Sequence, residues 1–155
     1  MKINYIHKVF AVLFTISLLF SCESSKNATR IETDDLISKI TINKVTLGNS
    51  FEMTVAKDKT EFVETTRGEA PSKNASKTES VDWVELNRIV SGLNLTEFET
   101  WPAPTQERLH DGARATTITL EMTDKSAYTS LPFDEGKPPA ELQNLYNHLE
   151  SLVNQ

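Results

Sequence analysis

The sequence predicts an α+β fold, in which a small antiparallel sheet of about five strands carries two amphipathic helices on one face. Two observations lead to this prediction. Segments with apolar side chains at every second position, typical of strands, occur in groups, and each group precedes a segment whose apolar side chains recur every three to four residues, typical of helices. The predicted order is β-β-β-α-β-β-α. Because the helices follow groups of strands instead of separating single strands, this order favours an antiparallel over a parallel sheet.

The first group comprises three strands, predicted at residues 40–47, 51–55 and 61–66. A slip in the alternation at Asn43 and Lys44 indicates a β-bulge, which brings Val45 and Leu47 onto the apolar side of the first strand. Residues 67–80 carry no large apolar side chain that could hold them against a core. We therefore expect a mobile loop there.

The first helix is predicted to end at Gly92, because glycine suits the residue that follows a helix. Ser80 and Asp82 are both candidate N-caps, since their side-chain oxygens accept hydrogen bonds from the free N–H groups of a first turn. Trp83 lies on the predicted apolar face of this helix. Asn87 is predicted to face away from the core.

The second group comprises two strands at residues 116–122 and 127–133, joined by a polar turn. Pro138 and Pro139 then suit the start of a closing helix, whose leucines recur at helical spacing. His148 is predicted on the solvated side of that helix.

Composition limits the classes of protein that the chain represents. With 155 residues, of which 38% are hydrophobic, it can bury one core without disulfide bonds, and its single cysteine could not form one within the chain. The formal net charge of −6 repels a phosphate backbone, and no basic patch is evident in the sequence. We expect no nucleic-acid partner.

The N-terminus has the layout of an export signal. Lys2 and Lys8 precede an apolar stretch at residues 9–21, which is too short to span a bilayer comfortably as a permanent helix. The stretch ends in Leu19-Phe20-Ser21-Cys22, which resembles the lipobox of bacterial lipoproteins, although the phenylalanine is bulkier than the residue usual at its place. The resemblance implies cleavage before Cys22 and acylation of that cysteine. The alternatives are an ordinary secreted protein and a signal anchor.

The lipobox divides the chain into a signal peptide at residues 1–21, a flexible tether at 22–35 and one α+β domain at 36–155. Cleavage removes two lysines and no acidic residue, so the remaining chain has a net charge of −8. Attachment to the lipid bilayer therefore depends on the acyl chains of Cys22, each buried methylene of which contributes about 0.8 kcal/mol. Glu23 follows the cysteine, where lipoproteins retained in the inner membrane carry Asp. This favours the outer membrane of the cell envelope.

The sequence contains no catalytic motif, and we assign no catalytic residue, cofactor or metal ligand. The densest polar cluster is a predicted loop with His110, Asp111 and Arg114. A histidine beside a carboxylate suits a general base or a metal ligand, but an Asp-Gly pair first of all predicts a turn. Trp101 lies in a proline-bearing segment, where it either caps the core or contacts a partner. Together these four residues form a candidate contact loop.

About 70 residues at the C-terminal end, from the first helix to the closing one, are similar in pattern to small bacterial domains and to emfourin-type inhibitors of metalloproteases. The Gly-rich opening typical of emfourins is absent before Phe51. The lipobox and the acidic, Ser/Asn/Lys/Thr-rich domain together resemble envelope lipoproteins of Bacteroidota. We expect a non-enzymatic binding or accessory module with an envelope protein as partner. The alternatives are a tethered protease inhibitor and a hydrolase centred on His110 and Asp111.

Overall fold

Seven strands and two α-helices make up the part of the chain that the structure, a computed structural model, describes, residues 34–110 and 112–153. The strands are β1 Ile37–Thr46, β2 Asn49–Ala56, β3 Thr60–Thr66, β4 Ser72–Ser76, β5 Ala115–Met122, β6 Ala127–Thr129 and β7 Phe133–Asp134. The helices are α1 Ser80–Ser91 and α2 Gln143–Val153, with short 3-10 helices at Glu107–Leu109 and Ala140–Leu142. Cys22, the predicted signal peptide and the tether as far as residue 33 lie outside the described residues.

The strands form one open antiparallel sheet in the order β4-β3-β2-β1-β5-β6, with β7 also paired to β5. The α+β class and the antiparallel sheet are therefore confirmed. The sheet is larger than the five strands that we predicted, because β4 carries little signal in the sequence and one predicted strand is divided into β6 and β7. None of the described helices is both long and apolar enough to cross a bilayer.

One additional strand, β4, lies where we predicted a mobile loop, and that prediction is wrong. Its residues pair with β3 in regular register, from Thr60 with Ser76 to Glu64 with Ser72. All five side chains of β4 are exposed. Since the strand is held through its backbone, the apolar alternation that would have indicated it is missing.

The predicted strand at residues 127–133 is divided into β6 and β7. Ser130 ends the first part and bonds twice to Ile118, whose N–H donates to Ser130 Oγ and whose carbonyl accepts from the Ser130 N–H. Pro132 follows with no N–H to donate to a ladder. The chain then returns to β5 near its beginning, where Asp134 pairs with Ala115.

Strand β1 is regular where we predicted a bulge, so that prediction is also wrong. Pairing with β2 continues without a shift from Lys39 to Thr46. Lys44 therefore takes the inward position, where its side chain is 5% exposed, and Val45 is turned outward. Leu47, which we expected on the apolar side, is 98% exposed in the turn after the strand.

Helix α1 ends as predicted but begins without the predicted cap. Gly92 is the C-cap and its N–H donates to the carbonyl of Ile89. Glu79 is the residue before the first turn, and its side chain makes no capping bond. Asn87, which we predicted to face away from the core, is buried. Its Oδ1 accepts from the N–H groups of Leu36 at 2.8 Å and Ile37 at 3.3 Å, which ties α1 to the start of β1.

The core consists of one cluster contributed by the inward face of the sheet and by both helices. Burial is complete at the centre of the sheet, where Ile40, Ile42 and Ile118 are fully inaccessible. It decreases toward the β4 edge: Phe62 on β3 is half-buried, and β4 is exposed along its whole length. The inward face of β3 and β4 is thus only partly covered by the helices.

Candidate binding groove

A groove of about 660 Å³ lies over the partly covered part of the sheet. One side is formed by β3 and β4, and the other by the segment before α1, the first turn of α1 and the end of α2. Its volume is within the range of about 300–1,000 Å³ that is common for ligand sites. The groove arises because the sheet is wider than the two helices that cover it.

The floor of the groove is aromatic. The rings of Phe51 and Phe62 lie 6.4 Å apart and are tilted by 42°. The register explains their contact: Phe62 is opposite Met53 on β2, two residues from Phe51, so the two phenylalanines are diagonal neighbours on one face. Leu152 and Val153 from α2 add apolar surface. Half-buried aromatic rings of this kind are common at binding sites, because they present a large apolar area with little side-chain freedom to lose.

The rim of the groove is mainly acidic. Glu64, Glu79 and Asp82 line it together with one cation, Lys77. Within residues 34–110 and 112–153, the side chains of Glu64, Glu79 and Lys77 form no ion pair or hydrogen bond with the rest of the domain, whereas Asp82 lies 3.6 Å from Nε2 of His148. Two carboxylates of the rim are thus available to a ligand.

His148 does not lie in the solvated position that we predicted for it. Its side chain is 19% exposed and lies between α1 and α2, opposite Asp82. The prediction from helical periodicity failed because residues on the flank of a helix can still face a second helix.

One end of the groove is closed by two threonines. The hydroxyls of Thr60 and Thr78 lie 2.9 Å apart and both residues are buried. This hydrogen bond joins the start of β3 to the segment that leads into α1. The groove wall is therefore held at the point where the sheet and the helix layer meet.

Trp101 of the predicted contact loop is almost fully buried. Its exposed fraction is 7%, and its ring packs on Phe98 with centroids 5.5 Å apart. Tyr128 meets the Phe98 ring in an edge-to-face arrangement, with centroids 6.5 Å apart. Of the two alternatives for Trp101, this position corresponds to the cap over the core, and it leaves little of the ring for a partner.

The other residues of the predicted contact loop have different surroundings. His110 is exposed after the 3-10 helix, and Arg114 is half-buried with Nη1 3.8 Å from Glu135. Asp111 lies outside the described residues. Among the described residues no contact joins Trp101, His110 and Arg114, so a contact role for this loop stays a prediction.

Asp134 holds the loop before β5 in place. The carboxylate is buried and accepts hydrogen bonds from Thr105 Oγ1, from the N–H groups of Glu107 and Arg108, and from the Arg108 guanidinium at 3.1 Å. Burial by itself raises the pKa of the Asp134 carboxyl. The hydrogen bonds from Thr105, Arg108 and Glu107 outweigh burial and hold that pKa well below its usual value.

A second buried polar cluster lies beside the first, at the same end of β1, because Asp134 pairs with Ala115 and Ala115 pairs with Val45. Lys44 Nζ lies 2.7 Å from Glu150 and 3.1 Å from Glu135, and it lies 5.4 Å from the Phe51 ring of the groove floor. Burial lowers the pKa of Lys44, but the hydrogen bonds to Glu150 and Glu135 exceed that effect and raise it above its usual value. The ammonium is therefore charged and paired, which makes it a structural cation and not a nucleophile.

Among the described residues, no group of three or more His, Cys, Asp or Glu side chains is placed to hold a metal ion. Comparison with known protein families gives no match, and comparison with curated proteins gives no significantly similar sequence.

The sequence did not indicate this groove. The alternation of apolar side chains predicts Phe51 and Phe62 only as members of strands. No sequence motif includes Glu64, Lys77 or Glu79. One signal was present: residues 67–80 were long for a loop and contained no apolar residue that could cover the neighbouring strand. That indicates an exposed edge, but not which face of it forms a groove.

Proposed function

We propose that this protein is a lipid-anchored protein of the cell envelope that binds another envelope protein in the groove beside β4. The observation that supports the binding function is the half-buried Phe51–Phe62 pair at the base of an open groove. An exposed apolar patch rimmed by charged residues is a common feature of interaction sites. Glu64 and Glu79 form part of the charged rim, and their carboxylates have no ion pair or hydrogen bond within the described residues.

The anchor in this proposal rests on the sequence. The lipobox ends at Cys22, and acyl chains on that cysteine would hold the domain at a membrane surface. The mature chain is acidic, so attraction to anionic lipids does not contribute to attachment.

The anchor is tested by Cys22→Ala in cells of a Gram-negative host. We expect the wild-type protein in the membrane fraction with incorporated labelled palmitate, and the variant in the soluble periplasmic fraction without label. Ser25→Ala, three residues farther along, is the matched control and should behave as wild type. An unchanged membrane fraction together with absence of lipid label would refute the anchor.

The groove is tested by photo-cross-linking in intact cells. A photoreactive phenylalanine analogue replaces Asn74, which lines the groove, or Glu52, which is exposed on the opposite face of the sheet as the control. We expect an adduct of defined mass from position 74 alone, with a cross-linked partner that mass spectrometry identifies as an envelope protein. Equal adducts from both positions, or none from position 74, would refute a partner in the groove.

A further inference from the structure

We infer that the occupant of the groove is an extended basic–apolar–basic segment of a partner protein, which adds as a strand along the free edge of β4. This inference rests on the proposed binding function and names the chemistry of its partner. It predicts the pattern Lys/Arg-x-Φ-x-Lys/Arg, in which Φ is a large apolar residue and x faces away from the groove.

The outer edge of β4 is the place where a further strand can add to the sheet. Among the described residues, β4 is the last strand of the sheet, so one row of its backbone N–H and C=O groups has no neighbouring strand within that part of the chain. All five of its residues are exposed. Edge strands of this kind accept an extended peptide, whose backbone hydrogen bonds supply affinity and whose alternate side chains supply specificity.

The register between β3 and β4 places three cross-strand residue pairs, here called rungs, on the face of the sheet that lines the groove. They pair Thr60 with Ser76, Phe62 with Asn74, and Glu64 with Ser72. The β4 member of each rung is small, so a long side chain from a strand beyond β4 can pass over it toward β3. Because alternate residues of a strand share one face, positions i, i+2 and i+4 of the added strand correspond to the three rungs.

The residues at each rung determine which side chain of the added strand is favoured there. The central rung ends on the aromatic ring of Phe62, which favours an apolar side chain at i+2. One outer rung ends on Glu64, and the other lies beside the segment that carries Glu79. Three acidic residues and one lysine line the groove, and the two free carboxylates favour Lys or Arg at positions i and i+4.

The dimensions agree with a segment of this length. Thr60 and Glu64 are four residue steps apart, which corresponds to roughly 14 Å along an extended strand. A five-residue segment therefore reaches both acidic ends at once. Because the pattern is symmetrical, it can be satisfied by a strand that runs in either direction.

A second copy of this chain suits the edge less well. Two β4 edges placed side by side would bring two acidic rims close together, and within the described residues Glu64 and Glu79 of each copy have no partner to neutralise them. Like charges across an interface oppose association. A basic partner segment supplies the opposite charge.

The test is fluorescence polarisation with the full chain, purified in a nonionic detergent, and a fluorescein-labelled peptide Thr-Lys-Thr-Leu-Thr-Lys-Thr. We expect saturable binding that weakens on going from about 0.01 M to about 1 M salt, where the Debye length falls from about 30 Å to about 3 Å. A peptide with proline at the two inner threonines keeps the charge but loses backbone donors, and it should not bind. Equal binding of both peptides would refute strand addition.

The rim is tested by the double variant Glu64→Lys/Glu79→Lys. We expect at least about a tenfold loss of affinity for the lysine peptide, which corresponds to about 1.4 kcal/mol. Glu52→Lys/Glu69→Lys changes the net charge by the same amount at exposed positions that do not line the groove, and it should change the affinity by less than about twofold. An equal loss in both double variants would show a net-charge effect and refute the assigned rim.

The peptide-binding and cross-linking experiments distinguish failure of the partner chemistry from failure of the binding function. If the peptide does not bind but the cross-link from position 74 persists, the partner segment has another chemistry and the inference is refuted while the binding function stands. If both are absent, both are refuted. If light scattering shows a dimer that the peptide does not dissociate, a second copy occupies the edge and the inference is refuted.

Discussion

The ammonium of Lys44 on β1 lies 2.7 Å from the carboxylate of Glu150 on α2. One end of the sheet is thereby joined to the closing helix by a lysine whose side chain is 5% exposed, whereas its carboxylate partners are about one third exposed. Removing the lysine and removing its carboxylate partners differ in their cost in folding free energy, because the lysine is more deeply buried than the carboxylates. Removing the lysine leaves carboxylates that water can reach, but removing both carboxylates would leave a buried cation.

Lys44→Ala is expected to lower the free energy of unfolding by about 1–3 kcal/mol, and Lys44→Met by less, because methionine retains most of the apolar stem. Since pairing with Glu150 and Glu135 raises the pKa of the folded state, the contribution of Lys44 is fully present below its unfolded pKa of about 10.4 and is lost as the pH rises through the folded value. Urea denaturation at neutral and alkaline pH measures both effects. Equal stability of the alanine and methionine variants would contradict the role of the stem.

Lys44 also illustrates what the sequence could not predict. Regular alternation at Ile40 and Ile42 predicted the strand, and Ile118 with Leu120 predicted its neighbour β5. Lys44 occupies the next inward position. Because the strand pattern is defined by apolar residues alone, a charged residue at an inward position interrupts it in the same way as a bulge. The partners that make its burial favourable lie about 90–106 residues away along the chain, so local sequence contains no sign of them.

The groove was unpredictable for a related reason. Its existence depends on the width of the sheet relative to the helix layer, and the strand that widens the sheet, β4, has only small, polar or charged side chains. Trp101 shows the converse case. Its burial against Phe98 was one of two alternatives, and only tertiary packing decides between them.

Asp134→Asn is expected to destabilise the domain at neutral pH, because the amide retains fewer acceptor sites for the donors of Thr105, Glu107 and Arg108. The folded pKa of Asp134 is lowered, so its contribution is present above the unfolded pKa of about 3.9 and is lost as the pH falls toward the folded value. The difference in Tm between wild type and variant should therefore shrink as the pH is lowered below about 4. A constant difference from neutral pH to about pH 3 would contradict this assignment.

Asn87→Ala is expected to cost about 1–3 kcal/mol, because it leaves the N–H groups of Leu36 and Ile37 without their side-chain acceptor. Amide hydrogen exchange at Ile37 should accelerate relative to wild type, whereas exchange in the centre of β5 should change only in proportion to the global stability. Asn94→Ala, at an exposed position after α1, is the control and should leave Ile37 unchanged. Unaltered exchange at Ile37 in the Asn87 variant would refute the tie between α1 and β1.

Phe62→Ala separates the binding role of the groove from the stability of the fold. Because Phe62 is half-buried at the groove floor, we expect a loss of stability of about 1–2 kcal/mol, compared with about 3–5 kcal/mol for Phe98→Ala in the core. The same Phe62 substitution removes the apolar surface at the central rung and should weaken binding of the lysine peptide at least about tenfold. Thermal denaturation and fluorescence polarisation on one preparation give both numbers. Phe62→Ala could instead lose as much stability as Phe98→Ala and still bind the peptide with unchanged affinity. That result would identify Phe62 as a core residue and would refute its role as the apolar contact in the groove.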